Sequence, residues 1–202
     1  MKHNTAWNKK DNSNEWLKAA LRKKYLPTRP VVLDLFCGHG RMYELAYKEK
    51  AAGYHGVDNK KIHDPAICTL TNNVVFIAHN DITKYNVFDL DDYGTPWKQL
   101  YMICGKHPGP GEITLFVTDG LVMHQKSNQK VTKFVSATEQ IPQQMKINGI
   151  NRFYVDIFAT MLLDIERRYG WKTTKARYSH NSRRSVYYWV LKLKKYMKTT
   201  ER

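Results

Sequence analysis

Two glycines and four aspartates carry the chemistry open to this chain. Gly38 and Gly40 stand two apart in VVLDLFCGHGRM, residues 31–42, directly after a run of β-branched and apolar residues. A glycine pair behind a strand lets the backbone approach a ligand, and the helix that follows offers free N–H groups. Asp58 lies eighteen residues beyond Gly40 in YHGVD, where a carboxylate at a strand end can accept from both hydroxyls of a ribose. Asp81, in HNDIT, can accept from an exocyclic adenine amine while the backbone N–H of Ile82 meets a ring nitrogen. Asp34, at the end of the first apolar run, can receive an ammonium group through water, and Asp119, in VTDG, can orient or deprotonate a nucleophile. Each acid also has a plainer role, Asp58 and Asp119 as turn acids and Asp81 as a cap.

The signs of these groups select among ligands. A dinucleotide site has GxGxxG, and here Tyr43 holds the third position, which weakens an NAD reading. Acids line the turn where a pyrophosphate would require bases. A nucleoside bearing positive charge fits better, and S-adenosylmethionine carries both a sulfonium and an ammonium. Metal chemistry has no support, since His55, His63 and His79 lack ligand spacing. Cys37, Cys68 and Cys104 are an odd number without a CxxC pair, which predicts neither a disulfide framework nor a zinc site and suits a reducing, cytoplasmic compartment.

The elements that must position these groups follow from periodicity and punctuation. Trp16, Leu17, Ala20, Leu21 and Tyr25 predict an amphipathic helix over 14–26, capped by Ser13 and with its basic residues outward. VVLDLF predicts a first strand, RMYELAYKEKAAG a helix closed by Gly53, YHGVD a second strand, NVVFIAHND a third over 73–81, and EITLFVTDG a fourth over 112–120. Residues 121–149 are polar and basic, with KVTKFVSATE open between strand and helix. Ile150, Phe153, Tyr154, Ile157, Phe158, Met161, Leu162 and Ile165 form a wide stripe on a helix that Gly170 ends. WKTTKARY and SVYYWVLKLKK then predict a hairpin. Alternating strands and crossovers imply a single-domain, doubly wound α/β sheet, mostly parallel, with a C-terminal antiparallel β-hairpin and ligands beyond the strands' carboxyl ends. The chain is long enough for one core.

Charge divides the chain unevenly. The net charge is +15, yet residues 31–119 hold eight Lys and Arg against eleven acids, while residues 120–202 hold seventeen against five. The expected organisation is a basic arm and helix over 1–30, a cofactor-binding half over 31–120 and a basic substrate-facing half over 121–202. Clustered cations attract polyanions and release counterions from nucleic acid. Lys126 and Lys130 just past Asp119, with Arg177, Arg183 and Arg184 in the hairpin, are the candidate substrate contacts, and Trp171, Tyr178 and Tyr187 are candidate stacking surfaces. The polar amino terminus and the lack of a long apolar run predict no signal peptide and no membrane partner.

VLDLFCGHGR resembles motif I of the class I (Rossmann-like) S-adenosylmethionine-dependent methyltransferases, with Phe36 where many members have a first glycine. The DLFCG form is similar to that of several RNA and DNA methyltransferases. GVDNK, HNDIT and LFVTDG follow in the family's order. The resemblance implies a cofactor site of Asp34, Phe36, Cys37, Gly38, Gly40, Asp58, Asn59, Asp81, Ile82 and Asp119. It also implies that the group facing the methyl comes from the end of strand four, taken here as TDGL with Asp119 as the catalytic candidate. The family's amino-methylating DNA enzymes have a PP motif and its cytosine C5 enzymes a Pro-Cys; the chain has neither. RNA is favoured over DNA as acceptor. A small-molecule or protein methyltransferase, or a non-catalytic nucleic-acid-binding protein of the same fold, remains the alternative.

Overall fold

A computed structural model describes residues 14–60, 62, 64–92, 94–109, 111–122 and 147–196, with side chains from residue 152 onward in the last stretch. Seven strands form one sheet in the order β3-β2-β1-β4-β5-β7-β6: β1 Val31–Asp34, β2 Gly53–Asp58, β3 Cys68–Leu70, β4 Val87–Asp91, β5 Glu112–Asp119, β6 Trp171–His180 and β7 Tyr187–Lys195. Pairing is parallel from β3 through β5 and antiparallel on both sides of β7. The expected doubly wound sheet with its closing hairpin is therefore the observed one.

Alternation along the strands sends residues to two different cores. Leu33, Val57, Phe88, Leu115 and Leu191 face α2 (Asn73–His79), α3 (Trp97–Lys106) and α4 (Ile147–Tyr169) in the larger cluster. Val32, Val87, Phe116 and Val190 face the other way, toward α1 (Glu15–Tyr25) and a π-helical turn, Tyr43–Tyr47. In α4, Tyr154, Ile157, Phe158, Met161, Leu162 and Ile165 are buried as the stripe predicts, but Phe153 is exposed beneath the Arg152 guanidinium.

Four expectations are corrected. The third strand over 73–81 is the helix α2: Asn72 caps it by accepting from the N–H groups of Val74 and Val75, and a five-residue apolar run does not by itself separate strand from helix. The strand beside β1 is β4, VFDLD, so EITLFVTD is the fifth strand and not the fourth. Gly53 opens β2 and does not close a helix, because the segment after the glycine turn ends in the π-turn. In α1, Trp16 is exposed whereas Arg22 is buried; the inward face is chosen by an ion pair and not by the apolar stripe. Ser13 and Lys126 and Lys130 lie outside the described residues.

Candidate functional site

The glycine turn leaves β1 at the carboxyl edge of the sheet. Gly38 and Gly40 have φ of +48° and +72°, a left-handed backbone that costs a side chain-bearing residue about 1–2 kcal/mol. The turn is closed by Gly40 N–H donating to Cys37 O at 2.8 Å and tied to β2 by Cys37 N–H donating to Val57 O at 3.2 Å. Asp58, the last residue of β2, accepts from the N–H groups of Gly38 at 3.1 Å and Lys60 at 2.8 Å. The predicted ribose acid thus stands against the turn, with Asn59 exposed beside it. Phe36 is half-buried, and Cys37 is buried with its thiol pushed up by desolvation first and Asp34 second, so it stays protonated. It packs with Cys68 around Gly56, where an added Cβ would lie 2.6–2.8 Å from both side chains.

Asp34 lies beneath the turn rather than in it. Its carboxyl accepts from the Phe36 N–H and the Tyr54 hydroxyl, and it is buried on the α1 face. Burial, and next the nearby Asp89, raise its pKa well above the carboxylate range, favouring the neutral acid. Asp89 of β4 takes both ends of the Arg22 guanidinium at 2.6 and 2.5 Å and the Tyr47 hydroxyl at 2.5 Å, and Asp91 takes Lys18 at 2.7 Å. The helix α1 therefore delivers two cations beneath the site, and Glu15 holds Arg41 at the start of the segment after the turn. This cluster was not foreseen; the available signal was the alternation of VFDLDD, which marks a strand with two acids on one face.

Asp81 and Ile82 are not brought to the turn. The helix α2 begins where Asn73 donates to Leu35 O, just past β1, and ends where Lys106 donates to Ile77 O and Ala78 O. Asp81 therefore emerges at the edge where the strands begin, near Asn86, whose side chain caps Val31 N–H. It is an exposed turn acid accepting from Thr83 N–H and hydroxyl, which lower its pKa, while Ile82 is fully buried in the core. A cleft of about 340 Å³ lies there, lined by His55, Thr69, Phe76, Asp81, Lys84 and Tyr85. At the glycine-turn edge, the residues that follow β3 are Thr71, whose N–H donates to Asp58 O, then Asn72 and Asn73. Gln99, on the first turn of α3, donates to Asn73 Oδ1 at 3.0 Å, and its own buried Oε1 has no partner among the described residues.

Asp119 ends β5 on the α4 face and is fully buried. It accepts from the Tyr154 hydroxyl at 2.7 Å and the Leu121 N–H at 2.8 Å, and Tyr154 accepts in turn from Trp189 Nε1 at 3.1 Å. Desolvation lifts its pKa to about 7, and Asp92, just beyond β4, adds to the rise. The hairpin tip, 181–186, comes out at this same edge because Tyr187 is the cross-strand partner of Asp119. Asn181 rigidifies the tip, accepting from Ser185 N–H at 2.8 Å, and Arg183 and Arg184 are exposed on it. At about 4.8 Å per strand, the tip stands some 17 Å from β1 across β4 and β5. Arg177 lies elsewhere, lower on the α1 face. Of the aromatic candidates Tyr178 is exposed, while Trp171 and Tyr187 are buried.

With β1 central, β4 beside it and an antiparallel β7 inserted between β5 and β6, the sheet order decides the fold. It is the class I methyltransferase fold. A 1,6-didemethyltoxoflavin-N1-methyltransferase from Burkholderia thailandensis, solved with S-adenosylhomocysteine, superposes with a TM-score of 0.53 at 13% identity, over 93% of this chain and 80% of that one. A candidate methyltransferase from Escherichia coli, yhhF, gives 0.50 at 13% identity over 92% and 87%. A candidate hemolysin from Lactococcus lactis gives 0.56 at 13% identity over 90% and 86%. No family model matches the sequence, and no curated protein matches it. In this methyltransferase fold the described residues include no cluster of three or more metal-ligating side chains and no helix long and apolar enough to cross a membrane.

Proposed function

We propose that the chain is an S-adenosylmethionine-dependent methyltransferase acting on a nucleic acid, RNA before DNA, in the cytoplasm. The contact between Asp58 and Gly38 N–H carries this reading: it sets a ribose-binding carboxylate against a left-handed glycine turn at the carboxyl edge of the sheet. The remaining surroundings suit the same ligand. Asn73 and Gln99, bonded to each other at this edge, are proposed to flank the adenine in place of Asp81, which lies at the other edge. Bound S-adenosylmethionine supplies an electrophilic methyl on its sulfonium.

The observed fourth strand ends at Asp91 and not at TDGL, so the resemblance no longer singles out Asp119; it is proposed to orient or deprotonate the acceptor on its place at the same edge and its raised pKa alone. A carboxylate poised near 7 is an effective base at neutral pH, and Tyr154 holds its far oxygen in place. Arg183 and Arg184 at the same edge contact phosphate, and exposed Tyr178 offers a stacking face. A small-molecule acceptor is the second reading, favoured by the likeness to the toxoflavin-precursor enzyme.

Incubation with labelled methyl donor and separate RNA, DNA and protein pools tests the proposal. Label in RNA that Asp119→Asn abolishes supports it. Label in DNA or protein alone, or undiminished transfer by Asp119→Asn, contradicts the acceptor or the base respectively.

A further inference from the structure

The α1 side of the terminal hairpin carries a charge pattern that folding alone disfavours. The register of β6 and β7 sets Lys172 opposite Lys194 and Lys175 opposite Lys192. Directly opposed side chains in an antiparallel pair stand about 4.5–5.5 Å apart at Cβ, and like charges there are destabilising. Both pairs share the face of Val190, which packs in the α1-side cluster, whereas Leu191 and Leu193 belong to the opposite core. Arg177, opposite Val190, continues the row and is exposed. From α1, Lys24 comes to 5.5 Å from the Tyr25 ring, and Lys175 comes to 5.0 Å from the same ring. Two ammonium groups thus converge on one tyrosine.

Little on the protein offsets this charge. Glu112 takes Lys192 at 3.2 Å. Among the described residues, Lys24, Lys172, Lys175, Arg177 and Lys194 make no ion pair with a carboxylate. The helix α1 covers Val190 and leaves β6 as an open shelf beside it, running about 16 Å from Lys172 to Arg177. Among the described residues, the large exposed apolar side chain at the shelf is Tyr196, its ring 5.7 Å from the Lys172 ammonium; one tyrosine is not the apolar face with which a helix or loop enters a membrane surface.

We propose that this shelf is a docking track for the phosphate backbone of a nucleic acid, on the α1 face and away from the methyl-transfer edge. Phosphates bridging opposed lysines convert a local repulsion into attraction and release condensed counterions. The inference rests on the nucleic-acid part of the reading above and adds a second contact surface to it: Arg183 and Arg184 meet the acceptor at the edge, and the shelf holds the strand that leads away from it.

The test is fluorescence anisotropy of the full chain with a labelled 20-nucleotide RNA over a series of salt concentrations. The comparison is a triple variant, Lys172→Gln, Lys175→Gln and Arg177→Gln. The expected result is at least a tenfold loss of affinity at moderate salt and a salt slope shallower by about 2, at about 0.7 per single-strand contact. The variant's thermal midpoint should be equal or higher, because two opposed like-charge pairs are gone. An unchanged slope overturns the track. Displacement of RNA by polyglutamate or anionic vesicles as effectively as by unlabelled RNA overturns the choice of occupant. Failure of S-adenosylmethionine to bind removes the methyltransferase reading and leaves the track standing or falling on the slope.

Discussion

Asp89 and Asp119 are both fully buried carboxylates in adjacent strands, and they face opposite sides of the sheet. On the α1 side, Asp89 meets a bidentate guanidinium and a tyrosine hydroxyl, so its charge is matched by an opposite one. On the α4 side, Asp119 meets neutral donors, the Tyr154 hydroxyl and the Leu121 N–H among them, and no cation is among the causes of its shift. Equal burial with unequal partners gives different groups: one held in an ion pair, the other a carboxyl whose pKa rises to about 7. The α1 face is held by ion pairing, whereas the carboxyl on the α4 face is left able to exchange a proton near neutral pH.

Arg22→Ala leaves Asp89 buried without a counter-charge and should cost about 3–5 kcal/mol, detaching α1 and lowering the unfolding midpoint in denaturant. A loss below about 1 kcal/mol would mean that the Arg22–Asp89 pair does not anchor α1.

Asp119 should respond in the opposite sense. Its raised folded pKa means that its carboxyl adds stability below the ordinary carboxylate range and that this stability is lost as pH rises through about 7. Asp119→Asn should therefore raise the melting temperature at pH 8 by about 5 °C relative to the parent, with a smaller difference at pH 5, while abolishing methyl transfer. Transfer by the parent should fall as pH drops through about 7, where the base becomes protonated. Melting curves at the two pH values and a pH–rate profile check both limbs.

A finer probe is Tyr154→Phe. Removing a donor that lowers the Asp119 pKa should move the acid limb of the profile to higher pH, and the loss of an acceptor for Trp189 Nε1 should cost about 1–3 kcal/mol. Asp81→Ala should give the smallest effect, leaving cofactor affinity unchanged, because Asp81 sits at the opposite edge of the sheet and, among the described residues, its hydrogen bonds stay within its own turn.

What was readable in the chain depended on whether a signal was local. β1, β2, β5, the hairpin and α4 are apolar runs with clear stops, and the turn that joins Gly38 to Asp58 announces itself by residue type. Asn73–His79 was not separable from a strand, since a short run of Val, Phe and Ile suits either; the Asn72 cap and packing against α3 decide it. That one misreading carried Asp81 into the site and displaced β4 from the count. The Arg22–Asp89 pair was not legible because its members lie 67 residues apart. The same distance hid the inward turn of α1, where Arg22 rather than Trp16 is buried. Gln99 had no distinguishing sequence context, and only its unpartnered buried oxygen draws notice.

Calorimetric titration of the protein with S-adenosylmethionine, S-adenosylhomocysteine and NAD tests whether the Gly38–Asp58 corner holds S-adenosylmethionine. Micromolar binding of the first two, no binding of NAD, and loss of both signals in Asp58→Ala with the melting temperature retained are the predicted results. Binding of NAD alone, or unaltered S-adenosylmethionine affinity in Asp58→Ala, would contradict the placement of the cofactor and with it the role given to Asp119.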